Sequence, residues 1–85
     1  MVSSGQLTVG TTPVQVDGTF HSIWRIHIHN DDNTDTLYVG GSDVSTSNGM
    51  RLQKLDSVEM QMNAGDTVWV VSSKAGHAVS WLKQV

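Results

Sequence analysis

The chain of 85 residues has no cysteine, one proline and only 15% charged residues. Without cysteine there is no disulfide framework and no thiolate-held zinc or iron–sulfur centre. No apolar run approaches the roughly 18 residues that a membrane-crossing helix needs, and Met1-Val2-Ser3-Ser4-Gly5 shows neither a basic nor an apolar signal region. A soluble chain with no membrane partner is therefore expected. Five Lys and Arg stand against eight Asp and Glu, a formal net charge of −3. That balance argues against affinity built on phosphate contacts, so no nucleic-acid partner is expected. Aromatics are also few: Phe20, Trp24, Tyr38, Trp69 and Trp81.

What the sequence does hold is β-forming. Ser and Thr supply 18 of the 85 residues and Val supplies 12, whereas helical surfaces carry many more Glu, Lys and Arg. Strand signals recur between Gly, Asp and Asn clusters. Leu7-Thr8-Val9 and Val14-Gln15-Val16 alternate. In Ile23 to Asn30, Trp24, Ile26 and Ile28 point one way and Arg25, His27 and His29 the other. Leu37 to Val39, Val58 to Met62 and Ala78 to Val85 follow the same period. Thr67 to Ser72 is apolar on both faces, as a central strand is. Met50 to Leu55 has room for one short turn. The fold class is all-β: a small antiparallel β-sandwich or jelly-roll-like barrel of about seven strands. Residues 1–5 read as a flexible N-terminal arm that orders on a partner, and residues 6–85 as a single domain. The expected core is Leu7, Val9, Val14, Val16, Trp24, Ile26, Ile28, Leu37, Val39, Val58, Met60, Val68, Val70, Val79 and Trp81. A domain this small without a covalent staple gains from subunit contacts, which points to self-association.

Two constellations and one aromatic residue could carry function. Asp31, Asn33 and Asp35 fall at the first, third and fifth positions of a calcium loop, but Thr36 stands where that loop needs Gly and Ser42 where it needs a bidentate Glu. The competing reading is a solvated hairpin loop whose side chains bond their own backbone. His27 and His29 form a His-x-His on one strand face, and the spacing selects no third ligand among His21, His77 and Glu59. The plain reading is a polar outer face completed by Arg25, so neither metal nor other cofactor is expected. No Gly-x-Ser-x-Gly, phosphate loop or carboxylate pair appears, so no enzymatic activity is expected. Trp69 suits a core position, a protein contact or a sugar platform.

The run Leu37-Tyr38-Val39-Gly40-Gly41-Ser42-Asp43-Val44-Ser45-Thr46-Ser47-Asn48-Gly49 is followed by Leu52 and by Ala64-Gly65-Asp66-Thr67-Val68-Trp69-Val70-Val71-Ser72-Ser73. This order resembles small β-sandwich virion proteins of tailed bacteriophages, over roughly residues 23–85. It departs from their pattern at Lys54-Leu55-Asp56, where a Pro-Gly turn is often seen. The resemblance implies a capsid decoration or cement protein on the virion exterior, binding the major capsid protein and itself as a homotrimer or cluster. A carbohydrate-binding or host-recognition module of a tail or fibre is the second reading. The contacts expected on this basis are Val2, Ser3 and Ser4 in the arm, Ser42, Asp43, Asn48 and Arg51 in and beside the loop, and Trp69.

Overall fold

The computed structural model describes residues 1–18 and 21–85, so Phe20 lies outside the described residues. Period-two alternation dictates the layout. Among the described residues there are eight strands: β1 (Val2–Val9), β2 (Val14–Gln15), β3 (Trp24–Asn30), β4 (Leu37–Gly40), β5 (Met50–Leu52), β6 (Ser57–Met62), β7 (Trp69–Ser72) and β8 (His77–Gln84). They form two four-stranded antiparallel sheets, β1-β8-β3-β6 and β2-β7-β4-β5, packed as an open sandwich rather than a closed barrel. Because facing residues share a side of the sheet, Ile28 meets Val58 and Trp81, and Ile26 meets Met60 and Lys83, all on the inner face. Val70 and Val39 pair on the inner face of the second sheet. Trp24, Ile26, Ile28, Leu37, Val70 and Val79 are fully enclosed between the two layers.

The strand absent from the sequence reading is β5. Its three residues are too few to show alternation, yet Leu52 pairs with Leu37 and is buried. The single turn expected over Met50 to Leu55 is therefore a short edge strand followed by a turn. Leu55 sits in that turn at φ 58°, in the left-handed region, which is where the missing glycine of the resembled pattern would be at ease. Residues 2–5, expected as an arm, lie in the first half of β1. Val2 to Gly5 face Gln84 to Trp81, and Met1 and Val85 exchange backbone hydrogen bonds of 3.0 and 2.9 Å. Gly5 is required there, since a Cβ would stand 2.6 Å from the Trp81 ring.

β7 is apolar on both faces for two different reasons. Val70 and Ser72 face the core, while Val71 faces outward and is covered by the chain between β4 and β5. Val44 from that segment is buried and lines a shallow cleft with Val71, Thr11 and Pro13. Gly40 and Gly49 make this possible: a Cβ on either would lie 2.9 Å from the Val44 side chain. Asn48 holds the segment closed, accepting the Ser45 N–H at 2.7 Å and donating to the Asp43 carbonyl at 3.3 Å. The Gly40-to-Gly49 motif is a packed plug on the outer face of the second sheet.

Candidate assembly surface

A sheet edge presents unpaired N–H and C=O groups, and soluble proteins blunt such edges with charge, proline or short strands. The second sheet follows that rule: its edges β2 and β5 have two and three residues. The first sheet does not. Its edges are β1, of eight residues, and β6, of six. β1 reads Val-Ser-Ser-Gly-Gln-Leu-Thr-Val, without charge or proline, and the first ionisable side chain in the sequence is Asp17. β6 carries one charge, Glu59, which Arg25 on the neighbouring strand offsets at 3.4 Å.

The directions of the two edges match. Each neighbour in β1-β8-β3-β6 is antiparallel to the next, so β1 and β6 run opposite ways. A second copy, displaced sideways without inversion, can lay its β1 against β6 and continue an antiparallel sheet with the inner faces on the same side. Such a contact joins two different surfaces and does not close on itself, which is the geometry that generates filaments.

Of the expected contact residues, Val2, Ser3 and Ser4 lie on the free β1 edge. Arg51 is exposed on the short edge β5, opposite Tyr38. Ser42, Asp43 and Asn48 belong to the plug, where Asn48 is committed to internal hydrogen bonds. Trp69 is half-buried on β7 with its indole N–H donated to Thr67 Oγ1 at 3.3 Å. These positions do not form one patch.

The acidic loop does not gather as a calcium site. Asp31 turns to the outer face, where it accepts from Ser80 Oγ at 3.0 Å and pairs with His29. Asn33 is exposed. Lys74 takes the place of a cation, 2.6 Å from Asp32 and 3.1 Å from Asp35. Its ammonium and the Thr34 and Asp35 donors hold the Asp32 carboxyl well below the usual carboxylate range. Ser80, His29 and Asp31 are the residue types of a hydrolytic triad in an unsuitable order. Both the hydroxyl and the imidazole bond to one Asp31 oxygen, so the serine proton points at the carboxylate and not at a base.

The polar centre that sequence reasoning missed is buried at the loop-rich end. His77 is fully enclosed, with Nε2 at 2.6 Å from Asn30 Oδ1 and Nδ1 at 2.8 Å from Ser72 Oγ. An amide oxygen only accepts, so Nε2 carries the proton and Nδ1 accepts from Ser72. Asn30 Nδ2 lies 3.0–3.1 Å from the carbonyls of Asp35, Leu52 and Gln53. Burial pushes the His77 pKa down.

No protein-family model matches the sequence, and no curated protein matches it either. Among solved structures the chain is similar to one from Bacillus endospore appendages, described as a novel family of disulfide-linked pili. The superposition has a TM-score of 0.67 at 13% identity, over 100% of this chain and 85% of that one. At that identity the likeness is one of fold.

This match overturns the expected kinship with phage virion proteins. With it go the decoration role, the major capsid protein as partner, the capsid-exterior location, the trimer or cluster on a capsid and the tail recognition module. The physical reason lies in the motif that carried the resemblance. The Tyr-Val-Gly end of β4 and the Ser/Asn-rich segment after it are what a short strand needs to fold a Val44 plug back over its own sheet. Any sandwich closing that way has use for the same residues.

Proposed function

We propose that this chain is a structural, non-enzymatic subunit that polymerises through the free edges of its first sheet into an extracellular surface fibre. The observation that carries this reading is the charge-free, eight-residue β1 edge opposite an antiparallel β6 edge on the same sheet. The fold it shares with a pilus protein supports it. Val2, Ser3 and Ser4 then meet a second copy of the same chain. Backbone hydrogen bonds supply the affinity, and the alternating side chains set the register. Since the sequence has no cysteine, no disulfide joins the copies, and the fibre should dissociate in denaturant without a reductant.

The test places charge on the edge without touching the core. Ser4 and Gln6 point to the outer face of β1, so Ser4→Lys with Gln6→Lys keeps the inner face intact while placing two hydrated charges on the edge that an added strand must cover. Purified wild-type chain should form filaments by negative-stain microscopy. The double variant should stay monomeric by light scattering with an unchanged far-ultraviolet dichroism spectrum. The matched variant Ala78→Lys, on the interior strand β8, should still polymerise. A wild-type chain that stays monomeric at all concentrations, or a double variant that still forms filaments, would overturn the proposal.

A further inference from the structure

The outer face of the first sheet carries an arrangement that polymerisation does not explain. His27 and His29 project from the central strand β3 into one groove, bounded by Ser4, Gln6, Ser80 and Leu82. Two residues along a strand place their Cβ atoms about 6.5 Å apart on one face, a span that two imidazoles can close onto a single ion. His29 is already oriented. Its Nδ1 bonds to the Asp31 carboxylate, which is itself fixed by Ser80 Oγ at 3.0 Å. A carboxylate accepts only, so Nδ1 carries the proton and Nε2 presents its lone pair outward. An imidazole fixed through its second nitrogen by a carboxylate is the arrangement that sets the tautomer and raises the basicity of metal-binding histidines. The His29 side chain is 40% exposed, so the ion has access.

We propose that His27 and His29 bind a divalent metal ion of the zinc type, with Asp31 and Ser80 as positioning residues behind His29. Imidazole ligands select zinc, copper and nickel over magnesium and calcium. Among the described residues no group of three His, Cys, Asp or Glu side chains converges on an ion, so water fills the remaining positions and the ion exchanges readily. Glu59 would be the natural third ligand, since it lies directly opposite His27. It is held instead by Arg25, whose Nε is 3.4 Å from Glu59 Oε2. Arg25 therefore limits the site to two protein ligands, and its removal should tighten binding.

The experiment is a calorimetric titration of the full chain with Zn²⁺ at neutral pH, followed by ¹⁵N spectra of the histidine rings. One ion per chain should bind, shifting the Nε2 signals of His27 and His29 and leaving those of buried His77 in place. His27→Gln and His29→Gln should each weaken binding at least tenfold. Asp31→Asn should weaken it about tenfold, as loss of a carboxylate behind a ligand does. Arg25→Ala should strengthen it severalfold, and His21→Gln should change nothing. All five positions are solvent-facing, and a dichroism spectrum checks the fold of each variant. Undiminished binding in the His27→Gln/His29→Gln double variant, or an Asp31→Asn chain that binds like the wild type, would overturn the assignment.

Discussion

The two ends of the sandwich are closed by opposite chemistries. At the loop-rich end, neutral groups do the buried joining, apart from the part-exposed Lys74 pairs with Asp32 and Asp35. His77 and Asn30 belong to the first sheet, Ser72 and Leu52 to the second, and the bonds among them cross the interior. At the other end an ion pair lies inside: Lys83 on β8 points inward, pairs with Asp17 and stands 5.6 Å from the centre of the Trp81 ring. The neutral network has its buried polar atoms matched donor to acceptor, so deleting any member strands the others. The charged pair has one partner, Asp17, that reaches solvent. The first end should be brittle and the second forgiving.

The largest expected effect is therefore at Asn30. Asn30→Ala removes three donor contacts to the Asp35, Leu52 and Gln53 carbonyls and leaves the His77 Nε2–H without its acceptor. Unsatisfied buried groups cost about 1–3 kcal/mol each, so a loss of about 3–5 kcal/mol is expected in urea unfolding. A loss below about 1 kcal/mol would mean that water enters and replaces the bonds, and the contrast between the ends would disappear.

The second expectation concerns acid. Burial lowers the pKa of His77 in the folded chain, so the unfolded chain takes up a proton that the folded one refuses. Stability then falls as pH drops below the ordinary histidine value of about 6.5, and stops falling through this group once pH is below its folded value. Asp32 acts lower in the scale. Its carboxyl is held down by Lys74, so its contribution is present above about pH 4 and is lost beneath that. Chains carrying His21→Gln, His27→Gln and His29→Gln together should keep the slope between neutrality and pH 5 in urea titrations. A flat profile in that triple variant would assign the slope to the surface histidines.

The difference between the ends also explains what was legible in the sequence. Alternation in Trp24, Ile26 and Ile28 placed β3 correctly, and the doubly apolar Thr67 to Ser72 placed β7 between two neighbours. The same parity extends to Asn30, and from Val79 and Trp81 to His77 and Lys83. Those polar residues share the inward face of their strands, but polarity near a strand end reads as the start of a turn. Parity was the available signal. Val44 and Leu52 were illegible for another reason, since a plug and a three-residue strand have no period. The β1 edge was hidden because Ser3-Ser4-Gly5 lacks inward apolar side chains. Its inner face is instead filled from across the ladder, by Trp81 lying over Gly5.

The smallest expected effect tests the forgiving end. Lys83→Met keeps most of the length of the aliphatic stem that carries the ammonium over Trp81, removes the inward charge, and leaves Asp17 able to turn toward water. Replacing a paired inward charge by an apolar side chain of similar volume is often neutral or stabilising, so Lys83→Met should change stability by no more than about 1 kcal/mol. Asp17→Ala is the informative counterpart. It leaves the Lys83 ammonium inside without the carboxylate it faces, and should cost more than Lys83→Met does. Asp17 also holds φ 55°, so Asp17→Gly separates the charge from the backbone: it relieves the left-handed strain while still removing the carboxylate. If Asp17→Gly and Asp17→Ala lose stability equally, and both exceed Lys83→Met, then the ion pair rather than the turn governs this end. If Asp17→Gly matches the wild type, the carboxylate contributes little, and the closure at this end is hydrophobic.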